Sequence, residues 1–183
     1  DGTIYQTERY GKTLNYEIPV AAGNYTVELY FSEIFWNNPG ERIFDVEVEG
    51  QTVLEDLDLL AETGGDINQP FVFQVPDSIS PDTFGATDAI DLDFRTSVDN
   101  AKISGIVVRS TDEAESKSAP VANNDSVDTE KKTPDNVTHD PKEKGNVVAA
   151  INAGGAALTQ NGIDFAADTF FLNGITAEDS RIG

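Results

Sequence analysis

Apolar and polar residues alternate along three stretches of this chain, and that alternation constrains the fold more than any other feature. Every second side chain is apolar in residues 25–31 (YTVELYF), and residues 43–50 (IFDVEVEG) and 89–96 (AIDLDFRT) repeat the pattern. A period of two places the apolar side chains on one face of a β-strand. Each of these strands is therefore predicted to be buried on one face and exposed on the other.

Shorter strands are predicted at residues 14–20 (LNYEIPV) and 71–75 (FVFQV). Residues 101–108 (AKISGIVV) are predicted to form one strand with a bulge at Gly105. No stretch shows a convincing 3.6-residue apolar period of an amphipathic helix. Two antiparallel sheets packed face to face would cover all these apolar faces, so the sequence predicts an all-β sandwich.

Composition divides the chain into three parts. Residues 1–110 carry the strand patterns, residues 111–146 are rich in Ser, Asp, Glu, Lys, Pro and Asn, and residues 147–183 return to apolar alternation. We predict a sandwich body, a flexible acidic and polar linker, and a C-terminal piece. Because domains below about 40 residues usually need outside support, this piece must pack on something. It is expected to complete the body, or else to begin a separate domain.

Charge and composition exclude several classes of function. The chain has 12 Lys and Arg against 33 Asp and Glu, a net charge of −21, no cysteine and one histidine, His139, within the predicted linker. This charge repels phosphate backbones and anionic lipids, so neither nucleic acid nor a membrane is an expected partner. Disulfides and Cys-ligated zinc are excluded. No signal peptide is visible, and no apolar run is long enough to span a membrane.

An aromatic pair, Phe35 and Trp36, follows the strand at 25–31 and precedes the turn sequence NNPGE. Trp36 is the single tryptophan of the chain. Neighbouring residues on an extended chain point to opposite sides, so both rings do not readily enter one core. The pair is predicted to be a ligand platform, with a hydrophobic plug at the strand end as the alternative.

Several blocks of the chain resemble the malectin family, carbohydrate-binding modules with a jelly-roll type of β-sandwich. They are IYQTERYG at 4–11, YTVELYFSEIFW at 25–36, ERIFDVEVEGQTVLEDLDL at 41–59 and VDNAKISGIVV at 98–108. AINAGG at 150–155 and GIDFAADTFF at 162–171 are also similar to the family, although they belong at the start of its domain. The order is therefore rotated, as in a fragment of a tandem repeat or a circular permutant. We expect a monomer closed within its own chain, with a strand-exchanged dimer as the alternative.

The resemblance implies a binding site at one end of the sandwich. The family's ligand-contacting aromatic in TERY corresponds to Tyr10, its aromatic pair to Phe35 and Trp36, and the acid before Asn to Asp99, with Asn100 assisting. The commoner pair is Tyr-Phe, so an indole N–H here takes the place of a phenol hydroxyl. A further aromatic of the family could correspond to Phe170 or Phe171. Asp99 is expected to accept hydrogen bonds from two vicinal hydroxyls, or simply to cap its own turn.

Two other acidic features allow different interpretations. Glu8 and Arg9, adjacent in sequence, are predicted to form a structural charge pair, with ligand contacts as the alternative. The acid-rich residues 54–66 (LEDLDLLAETGGD) suggest calcium because hard cations take oxygen ligands, but the leucines there favour packing, with the acids facing water. No cofactor is otherwise expected.

The sequence as a whole predicts a non-catalytic module that binds a glucan or a related oligosaccharide or polysaccharide. Acids are too abundant for any pair to stand out as a glycosidase pair. The alternative is a structural or adhesion repeat of a large bacterial surface protein that binds no sugar. Either function implies an extracellular, cell-surface or periplasmic location.

Overall fold

The computed structural model describes residues 3–76, 89–111 and 145–178. Residues 112–144, which make up most of the predicted linker and include His139, lie outside the described residues, as do residues 179–183 at the end of the predicted C-terminal piece. A short 3-10 helix spans Ile4–Gln6, and a single helical turn, α1, spans Leu59–Glu62. The strands are β1 (Thr7–Gly11), β2 (Thr13–Pro19), β3 (Tyr25–Phe31), β4 (Ile43–Val48), β5 (Gln51–Leu57), β6 (Phe71–Gln74), β7 (Ala89–Val98), β8 (Ala101–Ile103), β9 (Gly105–Ser110), β10 (Asn146–Asn152), β11 (Leu158–Gln160), β12 (Ile163–Ala167) and β13 (Ile175–Glu178).

The strands form three sheets that pack together. A four-stranded sheet has the order β2-β7-β4-β5, a six-stranded sheet the order β11-β12-β10-β9-β3-β6, and a three-stranded sheet the order β13-β1-β8. The main core draws alternate residues from these strands, including Leu14, Tyr16, Ile18, Val27, Leu29, Phe31, Phe44, Val46, Leu92 and Phe94. The predicted all-β sandwich is confirmed. It differs from the expected two antiparallel sheets in its third sheet and in a parallel pair, β10 and β12.

The strand β3 is buried on both faces, so the prediction of a half-buried strand is wrong here. Val27 and Leu29 face the main core, whereas Glu28 and Tyr30 on the other face are also buried. A second apolar cluster covers that face and includes Ile4 and Phe165, together with Val107 and Ala150. The period of two places residues on a face, but it does not reveal that distant segments cover both faces.

The predicted bulge at Gly105 is instead a break between two sheets. β8 pairs with β1, whereas β9 pairs with β3 and β10. Between them, Ser104 donates from its N–H to the Tyr30 carbonyl at 2.9 Å. A Cβ on Gly105 would lie 3.2 Å from Cδ1 of Ile4. Glycine thus permits close packing where the chain changes sheets.

The C-terminal strands are integrated into these sheets. β10 pairs antiparallel with β9 from Asn146↔Ser110 to Asn152↔Gly105, and β13 pairs antiparallel with β1. A register shift between Val147 and Ala149 leaves Val147 exposed, although alternation predicted that it would share a face with Ile151. The division of the chain at residues 111 and 146 stays a prediction, but β10 begins at Asn146, one residue before the predicted boundary.

The acid-rich segment at 54–66 packs through its leucines. Leu57, Leu59 and Leu60 are buried. Asp58 caps α1 by accepting hydrogen bonds from the N–H groups of Leu60 and Ala61. Among the described residues, no helix is long and apolar enough to cross a membrane.

Candidate functional site

The aromatic pair lies just beyond the end of β3, and its two rings contact each other. The ring centroids of Phe35 and Trp36 are 4.9 Å apart with planes at 87°. Phe35 is 62% exposed, and Trp36 is partly buried. The rings do not take opposite sides as an extended chain would require, because the chain leaves the strand after Phe31. The pair offers apolar surface to solvent at one rim of the sandwich.

Glu33 fixes the backbone of this pair. Its Oε1 accepts hydrogen bonds from the backbone N–H groups of Phe35 at 2.9 Å and Trp36 at 3.1 Å. Its Oε2 accepts from Nε of Arg42 at 2.7 Å, and the side chains of Glu33 and Arg42 are 2% and 5% exposed. One buried carboxylate therefore joins the aromatic turn to the start of the next strand.

Asp99 lies beside Trp36 in the turn between β7 and β8. The indole Nε1 donates to Oδ2 of Asp99 at 2.9 Å, and Nη1 of Arg42 lies 3.3 Å from the same oxygen. Nδ2 of Asn100 donates to Oδ1 at 3.2 Å, and the Asp99 side chain is 26% exposed. The residue has a φ of 58°, a left-handed conformation that Asp and Asn tolerate better than most residues.

Electrostatics keep both carboxylates ionised. Burial alone would raise the pKa of Glu33, but the charges of Lys102 and Arg42 outweigh it and lower that pKa. Burial would likewise raise the pKa of Asp99, and the Trp36 hydrogen bond, the Asn100 N–H and nearby positive charges lower it. Both groups are therefore acceptors at neutral pH.

A buried lysine lies behind the site. Lys102 is fully buried, and its Nζ contacts the Glu8 carboxylate and donates to the carbonyl oxygen of Ser32. Burial lowers its pKa, and Glu8 and Glu33 oppose that shift. The predicted Glu8–Arg9 charge pair is wrong, because adjacent residues of β1 face opposite sides and Arg9 pairs with Asp168 instead.

Tyr10 lies on the same face of β1 as Glu8. It pairs in register with Lys102, and directly opposed residues of antiparallel strands share a face. Tyr10 is partly buried. Lys12, in the bend between β1 and β2, donates from Nζ to the Asp99 carbonyl oxygen. Tyr10 thus lies opposite the buried Lys102 on β8, the strand that follows Asp99.

Phe170 and Phe171 lie apart from Trp36. Phe171 is bridged to Tyr16 on β2, and Tyr16 pairs with Leu92 of β7. The Arg9 guanidinium carbon lies 3.3 Å from the centroid of the Phe171 ring. Phe170 lines a groove between β10 and β12. Of the predicted residues, Phe35, Trp36, Asp99 and Asn100 come together, whereas Phe170 and Phe171 contact other parts of the fold.

Glu33, Arg42 and Lys102 are the site residues that sequence reasoning missed. All three are charged and buried, and Glu33 and Lys102 stand beside apolar residues in FSEIF and AKISG, whereas Arg42 follows the turn sequence NNPGE. A charge within an otherwise apolar strand end is a usable signal, because buried charges are almost always paired. Within the described residues, no group of three or more acidic, His or Cys side chains could hold a metal ion.

A family model for the malectin domain matches residues 1–106. The chain belongs to the malectin domain family. It is 39% identical to the malectin of Mus musculus over 66 residues, which are 35% of this chain and 23% of that protein. It is 35% identical over 66 residues to a probable LRR receptor-like serine/threonine-protein kinase of Arabidopsis thaliana, covering 33% of this chain and 6% of the kinase.

Similarity to solved structures is more distant. A β-glucuronidase of Bacteroides uniformis matches with a TM-score of 0.49 and 26% identity, over 60% of this chain and 12% of that one. The chain thus covers about a quarter of the length of the malectins it matches, and a smaller share of the length of the glucuronidase and the receptor-like kinase.

Proposed function

We propose that this malectin domain chain is a non-catalytic carbohydrate-binding module that holds a glucan or a related oligosaccharide. The ligand lies against Phe35 and Trp36, contacts Asp99, and is flanked by Tyr10 and Asn100. One observation carries the proposal: the 2.9 Å hydrogen bond from Nε1 of Trp36 to Oδ2 of Asp99. It joins a flat apolar ring to a carboxylate, and a pyranose requires both, for its C–H face and for its hydroxyls.

The partners of Asp99 limit what it offers to a sugar. Oδ2 already receives the Trp36 N–H at 2.9 Å and lies near Arg42, whereas Oδ1 receives the side-chain amide of Asn100 at the longer distance of 3.2 Å. Each carboxylate oxygen accepts about two hydrogen bonds. We therefore assign Oδ1 to a single ligand hydroxyl, rather than the whole carboxylate to two vicinal hydroxyls as the sequence suggested.

The charge of the chain favours a neutral ligand. The net charge is −21, and a ligand bearing uronates would approach an acidic protein against repulsion. Neutral glucans avoid that repulsion. Affinity is expected to be modest, because sugar hydroxyls must lose water before they pair.

The pKa shifts of the two carboxylates at the site support a non-catalytic role. A general acid for glycoside hydrolysis has a raised pKa. The pKa values of Glu33 and Asp99 are both lowered. These carboxylates have the wrong shift to deliver a proton at neutral pH.

The test is a titration with neutral and uronate-containing oligosaccharides. Since Trp36 is the single tryptophan, its fluorescence reports on the site directly, and calorimetry extends the measurement to Trp36→Ala. Trp36→Ala is expected to abolish measurable binding, and Val72→Ala, at a 44% exposed apolar residue on β6, serves as the control with unchanged binding. Equal binding by wild type and Trp36→Ala would remove the ring from the site.

If the protein bound no oligosaccharide on a glycan array, the proposal would be rejected and the adhesion repeat would be favoured. Calcium-dependent self-association would then be the positive sign of that alternative. An extracellular, cell-surface or periplasmic location stays a prediction that follows from either function.

A further inference from the structure

Residues 145–178, here called the C-terminal segment, cover two strand edges of residues 3–111, here called the body. β10 adds to the edge of β9 over Asn146–Asn152, and β13 adds to the edge of β1 over Ile175–Glu178. Without these strands, β9 and β1 would each have an unpaired edge. Ile151 and Phe165 of the segment are 1% and 3% exposed, so the contact is also a core contact.

A buried ion pair joins the two parts. Nε and Nη2 of Arg9 lie 2.6 and 2.5 Å from Oδ2 of Asp168, and the side chains are 6% and 8% exposed. Tyr16 donates from its hydroxyl to Oδ1 of Asp168 at 3.0 Å. Arg9 also donates to the Gly174 carbonyl at 3.1 Å. The body therefore contains a buried guanidinium whose acceptors come from the segment.

The glycines of the segment fit the surface of the body. Gly154 has a φ of 74°, and a Cβ there would lie 2.0 Å from the carbonyl oxygen of Glu8. Gly174 has a φ of 103°, and its Cβ would lie 2.9 Å from Cδ1 of Leu14. Gly162, by contrast, has a φ of 78° with nothing within 4 Å. Close approach to the body explains Gly154 and Gly174, which a segment beginning a separate domain would not need.

We infer that the C-terminal segment is a donor of strands that binds the body through non-covalent contacts, and that a second copy of this chain can supply it. This is the edge-strand addition by which sheets accept peptides. Ser110 pairs with Asn146, so the ends of residues 111–145 lie side by side. A covalent connection between two such neighbouring ends gives the segment an effective concentration of about millimolar at its own body. In dilute solution the segment therefore occupies its own body. Exchange between copies requires either a chain cleaved between body and segment or a protein concentration near millimolar.

The first experiment cleaves the full chain between the body and the C-terminal segment. A protease site is placed within residues 112–144, the folded protein is cleaved, and its mass is measured by native mass spectrometry and gel filtration. We expect the two pieces to remain together with the mass of one intact chain. A body that stays folded after losing the segment would overturn the inference.

The second experiment measures supply in trans. The cleaved protein is unfolded in urea and refolded with a tenfold excess of isotope-labelled peptide 145–178, and the label in the folded complex is counted. Simple competition gives about ten labelled complexes for each unlabelled one. No uptake of label after refolding would overturn the inference.

Two variant peptides test whether binding depends on the close approach of Gly154 to Glu8. Both Gly154→Ala and Gly162→Ala place Ala at a positive φ, but only the first meets the body. We expect Gly154→Ala to compete at least tenfold less well than Gly162→Ala. Equal competition would show that Gly154 does not lie against Glu8. None of these readouts depends on sugar, so they separate this inference from the proposed function.

Discussion

Replacing Glu33 by Gln tests whether a buried charge holds the aromatic pair in place. The carbonyl oxygen of the substituted side chain would remain with the N–H groups of Phe35 and Trp36, which need an acceptor. The new NH2 group would then face Nε–H of Arg42, at a position where the carboxylate now accepts at 2.7 Å. A donor would face a donor in a site where both native side chains are at most 5% exposed.

The expected loss is large because one charge of a buried pair is left without its partner. Breaking such pairs typically costs about 3–5 kcal/mol. For a domain of this size that corresponds to a fall of roughly 6–20 °C in melting temperature, at about 2–4 °C for each kcal/mol. The free energy of unfolding is measured by urea denaturation with far-UV circular dichroism, and Trp36 fluorescence reports the local transition.

The matched control is Glu47→Gln. Glu47 also pairs with an arginine, at 2.9 Å, but the side chain of Arg95 is 65% exposed. Exposed pairs contribute about 0–1 kcal/mol, so this variant should be nearly neutral. If Glu33→Gln and Glu47→Gln reduce the unfolding free energy equally, the argument from burial is refuted.

Three further predictions concern single groups. Asp99→Asn preserves a residue that tolerates the left-handed backbone and should weaken glycan binding about tenfold by calorimetry, since a hydrogen bond to a charged group is worth about 1.5–3 kcal/mol and one to a neutral group about 0.5–1.5 kcal/mol; unchanged affinity would remove Asp99 from the site. Gly154→Ala in the intact chain should lower the melting temperature well below that of Gly162→Ala, because only Gly154 approaches Glu8; equal values would contradict the contact. Because the pKa of Glu33 is lowered in the fold, its ionised carboxylate stabilises the protein fully above the ordinary pKa of 4.5, and this stability is lost as pH falls through the lowered value; unfolding free energies measured against pH should show that loss in wild type and a reduced slope in Glu33→Gln, and identical slopes would refute it.

The strands and the main core were predictable because burial on alternate positions leaves a direct mark on sequence. Val46 and Phe94 face the core as the period of two requires. What alternation does not reveal is which other segment covers the opposite face. Glu28 has the pattern of a solvent-facing acid in YTVELYF, yet it is 3% exposed and paired with Arg109. The pairing of Glu28 with Arg109 depends on β9 lying next to β3, and the sequence of neither strand alone indicates that the two are neighbours.

The same limit explains the outcome at the site. The resemblance to a family points to Trp36 and Asp99, whereas the expectation that neighbouring rings take opposite sides of an extended chain was wrong, because Glu33 folds the backbone after β3. The direct hydrogen bond between Trp36 and Asp99 joins positions 63 apart in sequence. Such contacts follow from the closed fold, whereas the residue types that make them are visible beforehand.

The buried basic residues of this acidic chain fix the positions of its elements relative to one another. The protein has 12 Lys and Arg in all, and three of them, Arg9, Arg42 and Lys102, are buried. Each pairs with an acid from another element: Arg9 with Asp168, Arg42 with Glu33, and Lys102 with Glu8. A buried ion pair adds little net stability compared with an apolar contact, but its loss on one side is costly, so it penalises arrangements in which the elements are displaced. In this protein the pairs join the residue after β12 to β1, the aromatic turn to the start of β4, and β8 to β1. These are the places where alternation of apolar residues alone would leave the position of a segment least determined.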